Sequence, residues 1–137
     1  MDVRAINYCL DQQTKGFISM QVVLGHPGIE DDEEVLLQKH GGTGGRCLRW
    51  TLNDHDFITR IEYAYSRRQG YVTGVKFLTE RGQVRTIGTS MRGRSVAYSY
   101  SEEKKFLGFM SFEYEDKAYA FGAYDSICNH LEAEELP

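Results

Sequence analysis

Lys39-His40-Gly41-Gly42-Thr43-Gly44-Gly45 is the first stretch that could do chemistry, because clustered glycines can cradle a phosphate with bare backbone amides. A phosphate loop needs Gly-Lys-Ser/Thr opening a helix. Here Arg46-Cys47-Leu48 follows, and then Arg49-Trp50-Thr51-Leu52 reads as a strand. The glycines therefore read as a tight connection with several positive φ angles. His26, His40, His55 and His130 lack His-Glu-x-x-His or Cys-x-x-Cys company, so neither a metal nor a cofactor is expected. No Gly-x-Ser-x-Gly elbow marks a nucleophile, and the chain reads as a non-enzyme. The acidic run Glu30 to Glu34 reads as a solvated loop, since a calcium loop spaces its ligands around a glycine turn. Tyr63, Tyr65, Tyr71, Tyr98 and Tyr100 lie in a basic region, as a nucleic-acid surface would have them. The net charge of −4 and the strand-period spacing instead make them packing residues, and no nucleic-acid partner is expected.

Charge is unevenly spread. Residues 1–45 carry three Lys/Arg against seven Asp/Glu, residues 46–105 twelve against six, and residues 106–137 one against seven. The plain reading is two acidic ends flanking a basic centre; the functional one is a basic face for an acidic partner, steered by charge and screened by salt. Cys9, Cys47 and Cys128 are odd in number and widely spaced, which fits reduced thiols in an intracellular, cytoplasmic protein, a cytoskeletal assembly among the settings conceivable. The start, MDVRAINYCL, lacks a basic region followed by an apolar core, and no apolar run reaches about 18 residues, so membrane insertion is not expected.

The elements that must position any site are strands. With 137 residues, one β domain over 1–125 and an acidic tail over 126–137, frayed or briefly helical, are expected. Val3 to Leu10, Phe17 to Leu24, Val35 to Gln38, Arg49 to Leu52, Phe57 to Tyr65, Val72 to Thr79, Val84 to Ile87, Ser95 to Tyr100, Phe106 to Tyr114 and Ala118 to Tyr124 read as strands. Trp50, the only tryptophan, is expected to pack in the core. One unit, a strand, a polar loop and a second strand, recurs three times. Ile6, Ile61 and Met110 correspond, then Tyr8, Tyr63 and Phe112. In the second strands Met20, Val75 and Phe121 correspond, then Val22, Phe77 and Ala123. A repeat of this size implies a symmetric fold whose units bury their faces against one another.

Several segments carry a resemblance: His40-Gly41-Gly42-Thr43-Gly44-Gly45, Phe57-Ile58-Thr59-Arg60-Ile61, Val72 through Thr79, Gly82, Gly88, Leu107-Gly108-Phe109 and Ala120-Phe121-Gly122-Ala123-Tyr124. In their order and spacing they make the chain resemble the jacalin-related lectins over about residues 3–124. The resemblance implies an all-β fold, a β-prism I of three four-stranded Greek-key sheets about a pseudo-three-fold axis. It also implies carbohydrate binding without catalysis or an essential metal. In that family a Gly-x-x-x-Asp loop between the two strands of a unit holds the sugar. The Asp position falls here on Ile18, Thr73 and Tyr119, and the Gly position on Thr14, Gln69 and Glu115, so no loop keeps the pair. Asp116 substitutes only if the third loop is displaced, and Tyr119 either stacks on a sugar or packs as a strand tyrosine.

The third unit is also short of strand partners unless Ser126 to His130 folds back to supply one, and an open edge is a docking site for another chain's strand. The expectation is a protein-interaction or structural subunit of a larger assembly, its sugar site lost. The alternative is a lectin for mannose- or galactose-type glycans using divergent loops. Candidate contact residues are Arg67, Arg68, Gln69, Gly70 and Tyr71 in one loop and Glu115, Asp116 and Tyr119 by another. The loops 11–18, 66–73 and 114–119 should cluster at one end of the fold.

Overall fold

The computed structural model describes residues 2–26, 33–89, 91, 94–125 and 134–136. They form strands only: β1 (Asp2–Leu10), β2 (Phe17–Gly25), β3 (Val35–Gly41), β4 (Arg46–Thr51), β5 (Ile58–Tyr65), β6 (Val72–Thr79), β7 (Val84–Gly88), β8 (Arg94–Ser99), β9 (Phe106–Tyr114), β10 (Lys117–Asp125) and β11 (Glu134–Leu136). The first sheet runs β3-β2-β1-β4, the second β11-β8-β5-β6-β7 and the third β10-β9. In the first two, a central hairpin is flanked by the two strands that follow it in the chain. Antiparallel pairing with one face dry makes side chains alternate, and the buried set shows it: Ile6 and Tyr8 on β1, Ile61 and Tyr63 on β5. One core joins all three sheets. Phe77, fully buried, meets Trp50 of the first sheet at 5.6 Å and Phe109 of the third at 6.5 Å between ring centroids. Tyr98 donates its hydroxyl to the Phe121 carbonyl at 2.6 Å, and burial pushes that phenol up to about 12.

The repeat is written into the pairing irregularities. Register slips once near each end of every hairpin. At the loop end the extra residue is Ile18 in the first unit, Thr73 in the second and Tyr119 in the third. At the other end it is Arg4, Thr59 and Leu107. Such bulges bend a strand and re-aim one side chain. They make Ile6, Ile61 and Phe109 equivalent, all buried, and correct the expected Met110, which is 39% exposed. A one-residue slip in a strand turns every side chain to the opposite face. The second-strand alignment stands, since Met20, Val75 and Phe121 each pair two places beyond their bulge.

Two further expectations change. The cysteines are not all free: Cys9 and Cys47 form a disulfide. The return of β4 beside β1 sets the two directly opposite, a pairing that spacing along the chain does not reveal. The end of the tail is neither frayed nor helical, because β11 pairs with β8 and extends the second sheet. The third sheet has two strands among the described residues, the shortage of partners expected of the third unit. Cys128 and the segment Ser126 to His130, expected as a possible strand, lie outside the described residues.

Candidate binding site at the three-loop apex

The three hairpin loops meet at one end of the prism, as their equivalence requires. The first two share a hydrogen-bond pattern. The Asp11 amide donates to Gly16 O and Lys15 to Asp11 O; the Ser66 amide donates to Tyr71 O and Gly70 to Ser66 O. The pattern needs a left-handed residue at its fourth position, filled by Lys15 at φ 64° and Gly70 at φ 84°. The third loop is shorter. Glu115 and Asp116 both have positive φ, as a two-residue type I′ hairpin demands, and this tight turn is the deletion visible in the repeat.

Between the loops lies a cavity of about 450 Å³, lined by Asp11, Thr14, Gly16, Phe17, Ile18, Thr43, Tyr71, Val72, Thr73, Thr89, Asp116, Lys117 and Ala118. Two bulge residues, Ile18 and Thr73, face into it. The glycine-rich β3–β4 connection supplies the fourth wall. Asp116 Oδ1 accepts the Thr43 amide and Oδ2 the Thr43 hydroxyl, each at 3.0 Å. The approach is close enough that a Cβ on Gly42 would collide with the Asp116 carbonyl, which is why a glycine is needed there. This two-point contact ties the third loop to the first sheet and fixes Asp116 on the cavity wall. An ionised carboxylate has about four acceptor positions, so each Asp116 oxygen keeps capacity for a ligand hydroxyl.

Asp11 Oδ1 accepts the amides of Thr14 at 2.8 Å and Gln13 at 2.9 Å. Those bonds, Thr14 first, hold its carboxyl below the usual range, with Lys117 assisting, so it is ionised at neutral pH. The Lys117 ammonium lies 4.9 Å from the centroid of the Tyr71 ring. The cavity thus offers two carboxylate acceptors, threonine hydroxyls, one ammonium and one aromatic ring. These groups can hold a polyhydroxylated ligand. Among the described residues no group of three His, Cys, Asp or Glu is placed to hold a metal ion.

Of the residues expected from sequence, Tyr71 and Asp116 line this cavity. Gly70 and Arg67 line a smaller pocket, of about 320 Å³, with Tyr65 and Ser66. Arg67, Arg68, Gln69 and Glu115 are exposed, and the Tyr119 ring lies over Gly70. Asp11, Thr14 and Lys117 were not singled out, although Asp11 and Thr14 sit in a loop expected at the apex. Thr89 carried no signal in the sequence.

Below the apex a second set of bonds joins the same sheets. His40 Nδ1 is 2.7 Å from Ser111 Oγ, Ser111 donates to Glu113 Oε2 at 3.1 Å, and Glu113 Oε1 accepts the Gly41 amide. Burial pulls the His40 imidazole below its usual range, Glu113 opposing. The fold therefore favours the neutral ring, and the unfolded chain takes up a proton first as pH falls below 6.5. The stability that His40 contributes is complete above that pH and declines as pH falls toward the depressed folded value. Urea midpoints measured between about pH 5.5 and 7.5 should fall toward acid, and the fall should shrink in His40→Gln.

No curated protein matches the chain by sequence. Its structure superposes on the prostate-specific WGA16 glycoprotein lectin with a TM-score of 0.74, at 16% identity, covering 92% of this chain and 83% of that one. It superposes on the mannose binding lectin from Champedak with a TM-score of 0.68, at 15% identity, covering 92% and 83%. For frutalin from Artocarpus incisa, solved in complex with galactose, the TM-score is 0.68 at 18% identity, covering 92% of each chain. Identities this low establish the fold, a β-prism I. The sequence profile of the Jacalin-like lectin domain matches residues 9–124, and the chain belongs to that family.

Proposed function

We propose that the chain is a non-catalytic carbohydrate-binding module whose site is the three-loop apex. The observation that carries this reading is Asp116. The aspartate that the alignment leaves out of place is held by Thr43 on the wall of a cavity that Asp11 and Lys117 also line. Carboxylates accepting sugar hydroxyls, with an aromatic edge, are what a neutral or amino-substituted sugar requires. Solved proteins of this fold include one named for mannose binding and one holding galactose, which supports a monosaccharide of either type as the ligand. The Cys9–Cys47 bond supports an oxidising setting over the intracellular one, whose premise was free thiols. Asp116→Asn should weaken glycan binding by roughly 10-fold or more, the loss of a charge-assisted hydrogen bond, at little cost in thermal stability. Titration calorimetry checks it, and unchanged affinity would remove Asp116 from the site.

A second reading is favoured by the bulge positions, where Ile18, Thr73 and Tyr119 stand without a carboxylate, and by the exposed Arg67 and Arg68. In it the sugar site is lost and the apex docks the acidic surface of a protein partner, with the third sheet, two-stranded among the described residues, offering an edge to a partner strand. Charge reversal at Arg67 and Arg68 separates the two readings. It weakens partner capture in the second and leaves glycan affinity intact in the first.

A further inference from the structure

The two ends of the Cys9–Cys47 bond have unlike surroundings. Cys9 sits on β1, inside the first sheet, and is 5% exposed. Cys47 sits on β4, which pairs with β1 alone, and is exposed. On the other side of Cys9, β2 places Ser19 directly opposite it. Ser19, Cys9 and Cys47 therefore stand in one row across the outer face, and all three line one groove there. Ser19 is fully buried, and its hydroxyl has no hydrogen-bond partner among the described residues. A buried hydroxyl left unpaired is uncommon and calls for a role. The bonded sulfur of Cys9 is a poor acceptor for that hydroxyl, whereas a thiolate in the same place is a strong one.

We propose that Cys9–Cys47 is a thiol–disulfide exchange site for low-molecular-weight thiols, with Cys47 the sulfur attacked and Cys9 the one that leaves. Displacement at sulfur brings the incoming thiolate in line with the bond that breaks. The line to Cys47 comes in over the free edge of β4, and the line to Cys9 comes in over β2, across Ser19. A thiolate RS⁻ bonds to Cys47 Sγ, the disulfide bond breaks, and its electron pair leaves on Cys9 Sγ, to which the Ser19 hydroxyl donates. A second RS⁻ attacks the RS sulfur held on Cys47, releasing the Cys47 thiolate and RSSR. The two cysteine thiolates take up the two protons that the two thiols gave up. The protein disulfide is thereby reduced by two electrons, and the two thiols are oxidised to one disulfide. Exposed disulfides are the labile and regulatory kind, and this one joins an edge strand to its neighbour. The site stands whether or not the apex takes a sugar.

Glutathione is the probe that tests it. The native, oxidised protein is first treated with iodoacetamide to block reachable free thiols. It is then held in millimolar glutathione at neutral pH, quenched with N-ethylmaleimide and mapped by mass spectrometry. The trapped intermediate should carry glutathione on Cys47 and maleimide on Cys9, and the reverse isomer should be minor. In urea, where the fold no longer covers Cys9, the two isomers should form in comparable amounts. Ser19→Ala should slow loss of the disulfide by roughly 10-fold, the effect of one hydrogen bond to a developing charge. Its thermal midpoint in the oxidised form should not fall, because the hydroxyl removed had no partner. Glutathione found mainly on Cys9, or evenly on both cysteines of the folded protein, overturns the proposal. So does a folded disulfide that stays intact while that of the urea-unfolded chain is reduced, or a Ser19→Ala variant that reacts as fast as wild type.

Discussion

Replacing Cys9 and Cys47 together by serine should destabilise the domain by about 4 kcal/mol, through the chain entropy that a cross-link spanning 38 residues removes from the unfolded state. For a domain of this size that is a fall in Tm of roughly 12–16 °C. The bond clips β4, an edge strand, to β1. β4 also contributes Trp50 to the core and leads out of the loop bearing Thr43. Losing the clip therefore loosens one wall of the apex as well as the global fold. Thermal unfolding of the double serine variant, followed by circular dichroism, measures the effect. Wild type treated with a reductant should approach the same midpoint. A shift of under about 3 °C in both would mean that the unfolded chain gains little freedom when the bond is absent.

Phe77→Ala should cost about 3–5 kcal/mol, the combined loss of burial and opening of a cavity. Its ring sits where the three sheets meet, between Trp50 and Phe109, with no exposed surface. Few neighbours can close such a gap, because each belongs to a different sheet. Val84→Ala, at an exposed position on β7, should change stability by no more than about 0.5 kcal/mol. Urea unfolding of both variants gives the contrast directly. A Phe77→Ala cost below about 1 kcal/mol would contradict a single core shared by all three sheets.

Much of the prism was legible in the sequence because its signals are local. Alternation around Ile6, Tyr8, Ile61 and Tyr63 marks strands without reference to anything distant, and the common spacing of the first two units exposes the repeat. Met110 stood in the place that Phe109 fills because the extra residue at Leu107 shifts the β9 phase by one, and a bulge leaves no mark in composition. Cys9 and Cys47 could not be matched, since their meeting depends on β4 returning beside β1. At the site, the loops and the equivalence of Ile18, Thr73 and Tyr119 were readable. The place of Asp116 was not. It depends on the Thr43 contact, which brings a glycine-rich connection from the first sheet against a turn of the third, 73 residues later. Thr43 was noticed as part of a glycine run, and only three-dimensional closure gives it a partner.

A glycan array probed with the folded, disulfide-bonded protein tests carbohydrate recognition at the apex most directly. The expected result is binding to a set of glycans sharing a terminal mannose- or galactose-type sugar, competed by the free monosaccharide and reduced by Asp116→Asn. Binding to no glycan by protein of verified fold, or binding that neither competitor nor substitution alters, would contradict it.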